Sequence, residues 1–167
     1  MRSEKLLEQW YLEARQQLVS IGFPFIDVPI KLNGRLERIY GWSIYSELIE
    51  INKEYFLYGE EAHVKDTILH ECTHQLIKEK ESHGAKWHDI INYVNKNLGT
   101  QLSVYGVPEK RDYRLLSPKY TQFKCVSCGQ VLKPTKTSGK KDVAYWLQNG
   151  WHKKCKDAKG KGKLTVV

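Results

Sequence analysis

The segment LHECTHQLIKEKESHGAKWH, residues 69–88, gathers four of the chain's six histidines within twenty positions. His70 and His74 are four residues apart, so on a helix their imidazoles stand one turn above each other and can reach one metal ion. Glu71 lies directly beside His70, where its carboxylate can take a proton from a water that the metal has activated. This is the H-E-x-x-H arrangement of zinc hydrolases, written HECTH here. The pentapeptide also arises by chance, and two ordinary surface histidines are the competing reading. A third ligand is offered by His83, just before Gly84, where the chain must reverse; His88, in the next helical segment, is its rival. His63 falls two turns ahead of His70, too far for the same ion. Three neutral imidazoles would leave Zn2+ its full charge and one open position. Two other zinc arrangements fit poorly. Ile77 and Lys80 occupy positions that a metzincin needs as glycine and histidine, and the following helix offers Asp89 in place of a glutamate.

A second set of metal-ligating types lies near the C-terminus. Cys125 and Cys128 in CVSCG, followed by His152 and Cys155 in WHKKC, give the spacing C-x2-C-x23-H-x2-C of a closed, structural zinc site. The alternative is a degenerate knuckle of reduced thiols and a surface histidine. Between and beside these halves stand Lys133, Lys136, Lys140, Lys141, Lys153 and Lys154, interleaved with Tyr145, Trp146 and Trp151. Cations follow a phosphate backbone and aromatic faces stack on unpaired bases, so this segment is a candidate nucleic-acid contact. The plainer role for its aromatics is to pack the ribbon's small core.

These residues need elements to hold them. Ser3 caps a helix reaching about Ser20, with Leu7, Tyr11, Ala14 and Leu18 at helical spacing and Gly22 as its stop. Residues 28–56 read as two or three short antiparallel strands, with a turn at Asn33-Gly34 and Pro29 favouring an edge. A helix from about Glu60 to Lys78 carries HECTH. Val64, Ile68, Leu69, Cys72 and Leu76 form its apolar face, and Cys72 is expected as a small buried residue rather than a ligand. A further helix spans about Ala85 to Leu98 and ends at Gly99. Residues 108–120 read as a linker, and the last residues, KDAKGKGKLTVV, as loosely ordered.

Charge divides the chain in the same place. Residues 1–109 carry 12 Lys and Arg against 16 Asp and Glu, net −4, while residues 110–167 carry 15 against 3, net +12. A mildly acidic body with a basic tail suits a core that bears an anion-seeking module. The apolar content of 41% supports a packed core. No run approaches the roughly 18 residues of a membrane span, and the N-terminus lacks a secretory pattern. The expectation is a cytoplasmic monomer with no membrane partner, whose cysteines stay reduced.

The run HECTHQLIKEKESHGAKWH resembles the SprT-like family, whose proteases pair H-E-x-x-H with a downstream His-Gly and an aromatic residue. Upstream, NGRLERIYGWSIYSELIEINKEYF is similar to the family at Asn33, Arg35, Leu36, Arg38, Gly41, Ile51 and Asn52. The resemblance covers roughly residues 28 to 95. It implies an α+β zincin-like body over residues 1–116, with an N-terminal helix, a short antiparallel sheet, the HExxH helix and a following helix. It further implies a catalytic zinc on His70, His74 and His83, with Glu71 as the catalytic base. The family often ends in a four-cysteine zinc ribbon, here residues 120–167 with His152 in place of one cysteine and a second, structural zinc. Its best-studied members cleave proteins crosslinked to DNA. The expected function is therefore a zinc metalloendopeptidase acting on DNA-associated proteins, with DNA bound by the ribbon. The alternatives are a nucleic-acid-binding zinc protein whose HExxH site is structural or inactive, and a peptidase whose basic tail binds an acidic protein.

Overall fold

Leu7, Trp10, Tyr11, Ala14 and Leu18 recur every three or four positions, the period of a helix that buries one side. They are the buried residues of helix α1 (Glu4–Ser20). The Ser3 hydroxyl caps this helix by accepting from the Leu6 N–H, and Gly22 follows it at φ +95°. The computed structural model describes residues 2–37, 39–78, 83–103, 122–132, 143–149, 151–152, 155 and 162–166. It divides into two compact units, residues 1–111 and 112–167.

In the first unit, strands β1 (Ile30–Asn33), β2 (Gly41–Ile44) and β3 (Leu48–Asn52) form a sheet in the order β1-β3-β2. β2 pairs with β3 antiparallel, but β1 pairs with β3 in parallel, so the sheet is mixed rather than wholly antiparallel. The cause lies in two asparagines. Asn33 accepts from the Arg35 N–H and donates to Glu50, each at 2.8 Å, which turns the chain without folding it back on β1. The Asn52 side-chain amide donates to the carbonyls of Leu36 and Ile39, which holds these residues at the end of β3, and β2 lies on the far side of β3 from β1. The hairpin falls later, between β2 and β3, with Ser46 at φ +57°. β1 with its preceding Pro29 does take an edge.

Asn52 is fully buried, and its carbonyl oxygen caps helix α2 (Lys53–Tyr58), an element not anticipated from the sequence. Helix α3 (Glu61–His74) follows and stops four residues short of the expected Lys78. Helix α4 (Ala85–Leu98) ends at Gly99, whose φ of +67° is the left-handed stop. α1 and α3 pack on each other and on the sheet. Ile30, Ile49, Ile51, Val64, Ile68 and Cys72 fill the space between them.

The second unit is a small sheet of β4 (Phe123–Cys125), β5 (Val131–Leu132), β6 (Trp151–His152) and β7 (Gly162–Val166), in the order β5-β4-β7-β6, with helix α5 (Val143–Asn149). The C-terminal stretch expected to be loosely ordered supplies β7, which pairs with both β4 and β6. The expected linker, residues 108–120, lies outside the described residues.

Candidate active site

α3 presents His70 and His74 one turn apart, and His83 approaches just before α4. The Nε2 atoms of His74 and His83 lie 3.2 and 3.4 Å from that of His70. Ligands of a tetrahedral zinc at about 2.0–2.1 Å stand about 3.3–3.4 Å apart along each edge. Both separations from His70 thus match edges of one coordination tetrahedron, and the three ligand atoms all lie within 4.8 Å of one another. Burial is the main force lowering the His70 pKa to about 4 and the His74 pKa to about 3, and it lowers that of His83 as well. All three imidazoles are therefore neutral near pH 7, as metal ligands must be. Without a shared cation their lone pairs would face one another, so the donor set fits a divalent ion of zinc's size.

Trp87 sets the rings. Its indole is almost fully buried and lies with ring centroids 5.0, 5.4 and 4.6 Å from His70, His74 and His83. Its N–H donates to the Thr73 hydroxyl at 3.1 Å, and that hydroxyl donates to the His70 carbonyl at 2.6 Å. One side chain of α4 is thereby tied into the turn of α3 that carries both ligands. The Ser103 backbone accepts a hydrogen bond from His70, which fixes the tautomer and leaves Nε2 for the metal.

Glu71, on the same turn of α3, lies against the sheet and is 7% exposed. Burial raises its pKa to about 8, so this carboxyl holds a proton far more readily than an ordinary glutamate. Gly41 of β2 lies against it: a Cβ at position 41 would fall 2.6 Å from Glu71 Oε1. A glycine here lets the strand pass directly over the carboxylate. β2, like β1, is an edge of the sheet among the described residues. Because the Asn52 N–H donates to the Tyr40 carbonyl, the alternation of an antiparallel ladder turns the backbone groups of Gly41 and Ser43 away from β3.

In the second unit, one ligand atom from each of Cys125, Cys128, His152 and Cys155 lies within 4.8 Å of the others. Cys128 Sγ is 3.4 Å from His152 Nδ1. Burial raises the Cys125 pKa, but the backbone N–H of Cys128, with His152 and the Ser127 N–H, outweighs it and brings the thiol to about 6. A thiol poised to ionise beside an imidazole nitrogen is the donor chemistry of a closed zinc site. Gly162 of β7 makes room for it, since a Cβ there would meet the Cys155 carbonyl at 2.6 Å and Cys125 Sγ at 3.0 Å.

Both expected ligand sets are thus brought together, and the described residues hold no further group of this kind. His88 is exposed on α4 and His63 stands apart from the triad. Lys133, Lys136, Lys140, Lys141, Lys153 and Lys154 lie outside the described residues. Sequence reasoning missed the contact of Trp87 with all three imidazoles; its position four residues after His83 was the available signal. It did not anticipate Thr73 or Ser103, which no spacing marks.

A mixed sheet backed by helices, one of which offers two histidines and a buried glutamate to a third histidine, defines a metallopeptidase-type domain. The chain belongs to the SprT-like family, whose sequence model matches residues 4–108, well over half its length. Among curated proteins no sequence matches it. No helix among the described residues is long and apolar enough to cross a membrane.

Proposed function

We propose that this protein is a zinc-dependent endopeptidase of the SprT-like kind that cleaves proteins associated with or crosslinked to DNA, its ribbon supplying the DNA contact. The observation that carries the reading is the convergence of three neutral imidazoles, with Nε2 atoms 3.2 and 3.4 Å from that of His70, on the helix that aims Glu71 beneath an open sheet edge. His70, His74 and His83 would hold the catalytic zinc; Cys125, Cys128, His152 and Cys155 would hold a structural one. When bound, the catalytic zinc acidifies water and polarises the scissile carbonyl.

The remaining steps belong to the chain. An extended substrate segment adds to the edge of β2, pairing with the backbone groups of Gly41 and Ser43. Glu71 takes the proton of the attacking water on its carboxylate and passes it to the leaving amine nitrogen. Main-chain pairing reads no particular side chain, so cleavage is tolerant of sequence and is directed by location.

The location comes from charge. The basic excess falls after residue 109 in the sequence, outside the net-acidic residues 1–109, and the described part of the ribbon exposes Lys124 and Lys163. The test is cleavage of a DNA-binding protein with and without single- and double-stranded oligonucleotides, beside a salt titration of binding. DNA-stimulated cleavage and salt-sensitive binding are expected. Binding indifferent to salt would favour an acidic protein partner, and binding without any cleavage would favour a nucleic-acid-binding protein with an inactive HExxH site.

A further inference from the structure

Gln75 follows the ligand His74 and caps α3 with its own N–H, which donates to the carbonyls of Cys72 and Thr73. Its side chain leaves the helix and reaches the β2–β3 hairpin. There Oε1 accepts from the Ser46 N–H at 2.8 Å, while Nε2 donates to the Ser43 hydroxyl at 2.6 Å and the Ile44 carbonyl at 2.9 Å. One amide thus makes three bonds to three successive parts of the edge strand and its turn. Ser46 is held at φ +57°, a conformation that a residue with a side chain adopts at a cost, and its N–H points at Gln75. The chemistry demands an amide. A carboxylate could accept from Ser46 but would repel the Ile44 carbonyl, and an apolar side chain would leave all three groups without this partner.

We infer that Gln75 is a positioning residue that fixes the edge strand on the ligand helix and so sets where a substrate backbone lies relative to Glu71. β2 meets α3 at two places one helical turn apart. At Glu71 the contact is steric, through Gly41. At Gln75 it is directional, through the three hydrogen bonds. Steric contact alone lets the strand slide or lift; the Gln75 bonds set its register along the helix. Ser43, whose backbone faces the open edge, is itself gripped through its hydroxyl. The edge that receives substrate and the helix that holds the metal ligands are thereby made one rigid piece. This inference rests on the peptidase reading above.

The test uses full-length, zinc-loaded protein and two readouts, hydrogen exchange of the β2 and hairpin amides and steady-state cleavage of an extended peptide. Loss of the three bonds in Gln75→Leu is expected to speed exchange at Ser46 and along β2 by about tenfold or more, with α1 unchanged. KM for the peptide is expected to rise by about tenfold, because a loosened strand must be ordered on binding. Inhibition by acetohydroxamate, which needs the metal alone, should hold its wild-type constant. Gln75→Glu should keep Ser46 protected yet lose its grip on the Ile44 carbonyl, and Ser43→Ala, which removes one bond, should shift both readouts in the same direction by less. Unchanged exchange in Gln75→Leu overturns the clamp. Faster exchange with unchanged KM overturns the positioning role and leaves a structural tie. A wild type that cleaves nothing overturns the peptidase reading and this inference with it, whereas a cleaving wild type matched by Gln75→Leu overturns this inference alone.

Discussion

At the scale of single residues, the active site is crowded in a way that sharpens what substitutions should do. Gly41 has no room for a methyl group, because the space is filled by the Glu71 carboxylate. Gly41→Ala is expected to displace that carboxylate and lower cleavage by about tenfold or more, since a 1 Å shift of a catalytic group is costly. Zinc analysis should show the triad still loaded; unchanged kinetics would mean that β2 does not lie over Glu71. His83→Ala should empty the triad, while His88→Ala should not, because His88 is no part of the converging set. Metal analysis of the two variants separates the rivals that spacing alone left open. The histidines and Glu71 were legible because helical period fixes which side chains share a face. Gly41 was visible only as a family-like position, since no local rule says which strand will cross which helix.

At the scale of elements, α3 and α4 are joined through one buried hydrogen bond, from the Trp87 indole to the Thr73 hydroxyl. Thr73→Val keeps the volume and strands a buried N–H, for an expected loss of about 1–3 kcal/mol in urea unfolding. It should also weaken zinc retention against a chelator, because Trp87 packs on all three ligands. On the outer face of the sheet, Asn33 donates to Glu50, with Lys31 alongside, and together they hold its pKa below the ordinary 4.5. A depressed acid stabilises the fold above its unfolded pKa and loses that contribution as pH falls through the folded value. Thermal melts of wild type and Glu50→Gln should therefore differ near pH 7 and converge as the pH falls below the ordinary 4.5 and through the depressed folded value. The helices were legible from their apolar stripes, but the parallel pairing of β1 with β3 was not. It follows from side-chain bonds of Asn33 and Asn52 to residues 17 and 16 positions away, which sequence spacing does not reveal.

At the scale of the whole molecule, an acidic peptidase-type body and a basic ribbon share one chain, and the ribbon sheet is closed by a C-terminal strand that composition alone suggested would be loose. Glycine and lysine lower strand propensity, but β7 is fixed by pairing on both sides and by the room that Gly162 gives Cys125 and Cys155. Purified protein should contain two zinc ions per chain, falling to one in Cys125→Ser, whose ribbon loses its metal while the triad keeps its own. DNA affinity should fall with salt at a log–log slope of about −0.7 to −0.9 per phosphate contact. All of this depends on whether the histidine site cuts peptide bonds, and Glu71→Gln asks that most directly: it spares every ligand and removes only the base. Cleavage by wild type and Glu71→Gln should be compared at equal zinc content, with a loss of about 10² to 10⁴-fold expected in the variant. Equal rates in the two proteins, with the triad loaded in both, would contradict the account.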